Sequence, residues 1–187
     1  VAVAAAASWG RGRVVALGHS GYLDAGNLAQ VDTARFLENA IAWCARGRPK
    51  GELHVLAVDA DLEGWLKARG YTQARGVRGS WPTDGVDVIL STRSDMSPDE
   101  QARLAAFVKS GGGLILGQTG WGWRQLHGDA DIRTHPSSLL LREAGIVWTD
   151  DFASPTAAHA FTTTEVPSEL LRFDAALDAL FPPHGGA

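Results

Sequence analysis

Cysteine is nearly absent from this 187-residue sequence, which contains only Cys44. One cysteine cannot form a disulfide within the chain, so cysteine usage does not reveal the redox compartment. Cys44 continues an apolar pattern at helical spacing that includes Phe36, Leu37, Ala40 and Ile41. This pattern predicts a buried structural thiol on a helix and argues against a nucleophile.

Long apolar runs and an excess of basic residues are also missing. No run approaches the roughly 20 residues of a membrane-spanning helix, so we expect no membrane span. The 17 Lys and Arg residues face 21 Asp and Glu residues, and the net charge is −4. A dedicated nucleic-acid binder needs a basic face, so no nucleic-acid partner is expected. The clustered Arg69, Arg75 and Arg78 are better explained by a solvated helix end and loop.

The first residues lack the features of a secretory leader. The stretch 1–7 is apolar and small, but it has no charged n-region and does not begin with Met. It therefore does not resemble a signal peptide. We expect the chain to be a fragment of a longer protein or a processed one.

Complete catalytic and cofactor motifs are not found either. There is no H-E-x-x-H, and the glycine runs 10–12 and 111–113 do not lie between a strand and a helix, as a phosphate loop requires. Gly18-His19-Ser20 matches the first half of a nucleophile elbow, but Tyr22 stands where that motif needs glycine. The sequence therefore predicts no cofactor and no complete catalytic site.

The order of the predicted elements indicates the fold class. Short apolar strands are predicted at residues 1–8, 13–18, 53–58, 86–90, 114–116 and 146–148, and amphipathic helices begin near residues 32, 62, 97 and 135. Alternating strands and helices form βαβ units, so we expect an α/β domain with a doubly wound, mostly parallel, flavodoxin-like sheet. The first two strands predict an N-terminal β-hairpin, and we expect about five parallel strands in addition to the N-terminal strand of that hairpin.

A change in composition divides the chain. Residues 1–150 carry the alternating pattern, whereas Ala, Thr, Ser and Pro dominate from Asp151 to Pro167. A helix is then predicted over Ser168–Phe181. We expect residues 1–150 to form the α/β domain and 151–187 to be an extension that packs on it or leads to another domain.

Ligands of doubly wound sheets bind at the carboxyl ends of the strands, where residues 18–22, 91–95 and 117–123 should meet. The candidate ligand-binding residues are His19, Tyr22, Gln118, Thr119, Trp121 and Trp123. The two tryptophans predict either an aromatic platform for a sugar or a partner side chain, or simple packing over the sheet end.

Metal-compatible side chains cluster further along the chain. His127, Asp129, Asp131 and His135 are of types that bind zinc. Their spacing matches no established motif, so the sequence favours a solvated loop over a metal site.

Three stretches carry a resemblance to a known family: 5–23, with Gly18-His19-Ser20-Gly21-Tyr22; 107–123, with its glycine run and Gln118-Thr119-Gly120-Trp121; and 139–149. They resemble the glutamine-amidotransferase-like (GATase-like) domain that accompanies M60-type, enhancin-like metallopeptidases and occurs in TRPM8 channel-associated factors. The resemblance implies an amidotransferase scaffold without its nucleophilic cysteine. It also implies a vestigial site at His19, Ser20, Gln118 and Thr119, and a secreted or periplasmic location if the chain is peptidase-associated.

Three functions are compatible with these features. The first is a noncatalytic accessory module for recognition or scaffolding, with a glycan, another protein or another domain of the same chain as its partner. The second is a hydrolase that uses Ser20 or Thr119 with His19 and Asp95, which requires side chains within ~2.6–3.2 Å. The third is a purely structural protein-interaction domain that exposes an apolar patch.

Overall fold

The structure is a computed structural model that describes residues 2–58, 60–74, 81–128 and 130–155. Residues Val3–Asp151 belong to one compact unit, and Phe152–Ala187 belong with Ala2 to a second. The helix predicted over Ser168–Phe181 lies outside the described residues.

Among the described residues, six strands form one sheet in the order β1-β2-β6-β5-β3-β4. They are β1 (Ala4–Trp9), β2 (Gly12–Leu17), β3 (His54–Ala57), β4 (Thr72–Gln73), β5 (Val88–Ser91) and β6 (Gly113–Gly117). β1 and β2 pair antiparallel as the predicted hairpin, and all other neighbouring strands pair parallel. The prediction of a mixed α/β fold with a mostly parallel sheet is therefore confirmed.

Helices cover both faces of the sheet. They are α1 (Ala25–Leu28), α2 (Thr33–Cys44), α3 (Ala60–Ala68), α4 (Pro98–Lys109), α5 (Gly120–Leu126) and α6 (Pro136–Leu141). Side chains alternate along a strand, so Val14 belongs to the core cluster that includes residues of α4 and α6, whereas Val15 belongs to the cluster that includes residues of α2 and α3. Each face thus has its own apolar core, as expected for central strands that are buried on both sides.

Two helix starts that look alike in sequence differ in the structure. Ser97 forms a complete capping box, because its Oγ accepts from Glu100 N at 3.3 Å while its own N donates to Glu100 Oε2 at 2.8 Å. Asp32 precedes α2 but makes no capping hydrogen bond. The helix predicted to begin near residue 32 is therefore present, but the Asp32 side chain does not cap it.

The strand predicted at 146–148 is not formed. Ile146 and Trp148 are buried and Val147 is exposed, an alternation that resembles a strand. The polar groups of Trp148 bond elsewhere, however: its N donates to Ser138 Oγ at 3.0 Å and its Nε1 to Leu17 O at 3.2 Å. The fifth parallel strand is instead β4, whose two residues are too short for a pattern in sequence.

Cys44 is buried against the core on the α2 face, as predicted. Burial raises the pKa of its thiol to about 12, so it stays protonated at neutral pH. None of the helices among the described residues has the length and apolarity to cross a bilayer.

Candidate functional site at the carboxyl ends of the strands

A groove of about 430 Å³ opens between the segment that follows β5 and the helices α5 and α6. Its lining residues are Arg93, Ser94, Asp95, Met96, Ser97, Glu100, Trp123, His127 and Pro136. The groove lies beyond the carboxyl end of β5, the region where open α/β sheets bind their ligands. It is the candidate site that the fold itself positions.

One wall of the groove combines a guanidinium with two carboxylates. Arg93 Nε lies 2.9 Å from Asp95 Oδ1, and Arg93 NH2 lies 3.5 Å from Glu100 Oε1. Hydrogen bonding from the Ser97 backbone, assisted by Arg93, lowers the pKa of Glu100, so this carboxylate is charged at neutral pH. The wall therefore presents both signs of charge to a ligand.

The opposite wall is aromatic and continues inward as a column of rings. The Trp123 ring stacks on His127 with centroids 4.4 Å apart, and the His135 ring meets Trp123 at 4.9 Å in a tilted arrangement. His135 in turn stacks on Trp148 at 5.8 Å. Because Trp148 Nε1 bonds to Leu17 O, the column connects the groove to the end of β2.

His135 is a neutral structural residue in this column. Burial, and secondarily the charge of His127, lowers the pKa of His135 to about 4. Its Nδ1 accepts from Ser137 N at 3.1 Å and so caps α6, which leaves the proton on Nε2. Nε2 and the hydroxyl of Ser137 are buried and have no hydrogen-bond partner among the residues that the structure describes.

The metal-compatible side chains do not converge. Asp131 caps a short turn and pairs with Arg133, Nε to Oδ2 at 2.8 Å, and this pairing lowers the pKa of Asp131 to about 2. Asp129 lies outside the described residues, and His127 Nδ1 lies 2.7 Å from Trp123 O. No group of three metal-type side chains assembles within the described part of the chain.

The proposed vestigial site is held together by structural hydrogen bonds. Ser20 Oγ lies 3.2 Å from Thr119 Oγ1, and Ser20 N donates to the same oxygen at 3.3 Å. Gln118 is 2% exposed and donates from Nε2 to Arg93 O at 3.0 Å. These contacts join the ends of β2, β6 and β5 to each other.

His19 takes no part in this arrangement. Its Nδ1 accepts from Gly21 N at 2.8 Å, which stabilises the turn after β2. Within the described residues no hydrogen bond links His19 to Ser20 or Thr119, and Asp95 pairs with Arg93 instead. The hydrogen bonds that the hydrolase hypothesis requires, from Ser20 or Thr119 to His19 and from His19 to Asp95, are therefore not formed among the described residues.

The remaining predicted site residues separate in space. Tyr22 is half-buried against the core on the α2 face, and burial raises the pKa of its phenol. Trp121 and Trp123 both lie on α5, and residues two apart on a helix point in directions about 160° apart. Only Trp123 lines the groove, so the two rings do not form one platform.

Helix α5 was not expected from the sequence, because Gly-Trp-Gly-Trp is typical of a turn. A Cβ at Gly120 would overlap the carbonyl oxygen of Thr149, so glycine is needed there for close packing rather than for a turn. The wall formed by Arg93 and Glu100 was not predicted from the sequence. Its signals were the polar segment after β5 and the capping box of α4.

Comparison with known proteins shows the family of this chain. The family model described as TRPM8, N-terminal domain (TCAF_N) matches residues 1–163. TRPM8 channel-associated factor 2 from Bos taurus is 36% identical over 152 residues, which cover 79% of this chain and 15% of that protein. The human protein of the same name is 32% identical over 157 residues, with the same coverage. The chain thus spans about 15% of the length of these relatives.

A solved structure with a similar chain is the IMPa metallopeptidase from Pseudomonas aeruginosa. It aligns with a TM-score of 0.48 and 18% identity, over 63% of this chain and 14% of its own. The sequence match covers most of the chain, and it is the sequence match that assigns the family. The chain belongs to the TCAF_N family, to which TRPM8 channel-associated factors are related.

Proposed function

We propose that this chain is a noncatalytic accessory module that recognises another protein through the groove at the carboxyl end of β5. The observation that carries the proposal is the groove itself, with an Arg93–Glu100 wall facing Trp123 and His127. Mixed charge beside an aromatic ring suits polypeptide recognition, where ion pairs orient a ligand and the ring adds contact area. The relatives carry the name of channel-associated factors, which favours a protein partner.

We further infer that the scaffold derives from a class I glutamine amidotransferase with a flavodoxin-like sheet. In that family a nucleophilic cysteine follows the strand equivalent to β6. Here Gln118 and Thr119 occupy the turn, and both side chains are used in hydrogen bonds between strand ends. We also propose that residues 1–150 form the GATase-like domain and that residues 151–187 are an extension of it, as the change in composition predicts.

A glycan is a second ligand class for the same groove. Trp123 offers an aromatic surface, but His127 already covers one of its faces at a centroid distance of 4.4 Å. A sugar ring would therefore have to stack on the remaining face or displace His127. A polypeptide needs no free ring face, and for this reason we favour a protein ligand.

The experiment is a selection of peptides from a displayed random library against the 187-residue chain, with a glycan array screened in parallel. Binders are then measured against Asp95→Lys, which reverses a charge in the groove at a side chain that is 81% exposed. We expect the affinity to fall about tenfold or more, because the wall then carries two cations and one carboxylate instead of one cation and two carboxylates.

The matched control is Asp84→Lys, the same change at an exposed residue that does not line the groove. Asp84→Lys should leave the affinity unchanged. Equal affinity of both variants would place the ligand elsewhere. Binding of glycans alone, abolished by Trp123→Ala, would replace the protein ligand with a sugar.

A further inference from the structure

The two edges of the sheet differ in length. β4 contributes only two residues at one edge, whereas β1 contributes six, from Ala4 to Trp9, at the other. Short edge strands protect a sheet against pairing with other chains, and long ones do not. Among the described residues, no strand pairs with the outer edge of β1.

The register of the hairpin shows which groups of β1 point outward. Gly18 N donates to Val3 O at 2.9 Å, so Val3 and Gly18 form a hydrogen-bonded pair. Such pairs alternate along an antiparallel ladder, and Ala5 and Ala7 therefore also bond to β2. The residues between them direct their backbone N–H and C=O groups away from the sheet: Ala4, Ala6 and Ser8.

These three residues also have exposed side chains, whereas Ala5 and Ala7 pack against the core. β1 contains no charged residue and no proline. It also has no bulge, because all six of its residues pair in continuous register with β2. Charges, prolines and bulges are the usual means by which edge strands avoid pairing. Within the part of the chain that the structure describes, no other strand pairs with the outer edge of β1 at any of its six residues.

We propose that a second copy of this chain pairs with β1 in antiparallel orientation, about a twofold axis through Ala6. In this register Ala4 faces Ser8 of the partner subunit, and Ala6 faces Ala6 of the partner subunit. The three outward residues are evenly spaced about Ala6, so up to six backbone hydrogen bonds form, two for each opposed pair. The result is a symmetric dimer with one continuous twelve-stranded sheet.

A second copy suits this edge because the edge is complementary to itself. Every opposed pair consists of alanine or serine, so no like charges meet across the twofold axis. The nearest charged side chain on β2 is Arg13, opposite Ser8. It is engaged within its own subunit, where NH1 donates to Trp43 O at 2.7 Å and the guanidinium lies 4.8 Å from the Trp43 ring centre. A contact of one strand is small, so the dimer should be weak and concentration-dependent.

Sedimentation equilibrium of the 187-residue chain, from about 10 μM to 1 mM, tests the proposal. We expect a monomer–dimer equilibrium with a Kd that Ala6→Lys raises at least tenfold, because a lysine at the axis opposes its own copy. Ala102→Lys, the same change at an exposed position on α4, should leave the Kd unchanged. A monomer throughout, or a dimer that Ala6→Lys does not affect, would overturn the proposal.

Cross-linking tests the position of the axis. Opposed residues in a hydrogen-bonded pair have Cα atoms about 5.5 Å apart, within the range of a disulfide. Ala6→Cys should therefore form a disulfide-linked dimer on mild oxidation, and Ala102→Cys should not. Cys44 is buried and does not compete. Absence of the cross-link in Ala6→Cys would reject this register. Asp95→Lys should not change the dimer Kd, which separates this test from that of the groove.

Discussion

The two ends of the parallel strands carry grooves of comparable size that are built in different ways. The groove at the amino ends has a volume of about 560 Å³, and the groove at the carboxyl ends about 430 Å³. At the amino ends the backbone is packed so closely that a Cβ at Gly12 would overlap the carbonyl oxygens of Val108 and Gly112. At the carboxyl ends the walls are ion pairs and stacked rings.

This difference shows that volume does not identify a binding site. Close backbone packing ties the amino-end groove to the stability of the sheet, because a change there forces strands and helices apart. The exposed side chains of the carboxyl-end groove can vary without such a cost. A binding site can therefore change more easily at the carboxyl ends than at the amino ends. We expect substitutions at the amino ends to change mainly the free energy of unfolding, and substitutions at the carboxyl ends to change binding or the pH dependence of stability.

The largest effect is expected at the amino ends. Gly12→Ala should lower the free energy of unfolding by about 3 kcal/mol or more, because its methyl group meets backbone atoms that cannot rotate away. Urea denaturation measures the change. Gly64→Ala is the control, since a Cβ there has no atom within 4 Å and lies in helix α3. It should stabilise the chain by about 0.5–1 kcal/mol. Similar losses in both variants would contradict the difference in packing.

The second-largest effect is a pH dependence of the free energy of unfolding that arises from His135, near the carboxyl ends of the strands. Burial lowers the pKa of His135 to about 4, from the ordinary value of about 6.5. As the pH falls, His135 therefore binds a proton in the unfolded chain at a higher pH than in the folded chain. The resulting loss of stability begins below about pH 6.5 and reaches about 2–3 kcal/mol near pH 4.

His135→Asn tests this dependence. Its side-chain oxygen can still accept from Ser137 N, but it does not titrate. Carboxylates titrate in both proteins, so the informative quantity is the difference between their unfolding free energies measured from pH 7 to pH 4.5. The difference should shrink on acidification, and parallel curves would rule out a buried neutral His135.

The smallest effect is expected at the wall of the carboxyl-end groove. Ser97→Ala removes the capping box of α4 and should cost about 1 kcal/mol by thermal or urea denaturation. Asp32→Ala is the matched control, because Asp32 precedes α2 without making a capping bond. Its effect should stay within about 0.5 kcal/mol. An equal loss in both variants would mean that the hydrogen bonds of Ser97 contribute little.

Two elements show why sequence analysis failed where it did. Residues 146–148 alternate between buried and exposed as a strand does, yet Trp148 bonds to Ser138 and Leu17 rather than to a neighbouring strand. Helix α5 begins with glycine, which has low helix propensity, but close packing of Gly120 against Thr149 requires that residue. In both cases contacts distant in sequence outweighed the local pattern.

The candidate site was predictable only in its location. The rule that ligands bind at the carboxyl ends of strands indicated residues 91–95 and 117–123, and Arg93 and Trp123 do line the groove. Which side chains would face each other was not predictable. Gln118 is buried and bonds to the backbone of the segment after β5, and Trp121 does not line the groove as Trp123 does.

The sequence alone determined the α/β class, the hairpin and the buried Cys44, because apolar periods of 2 and 3.6 residues are local properties of a chain. Tertiary structure alone decided the order of the strands, the stack of Trp123 on His127, and the open edge of β1. These features depend on pairing between segments far apart in sequence. The free energy of such pairing comes from packing and backbone hydrogen bonds in the assembled sheet, which no local pattern encodes.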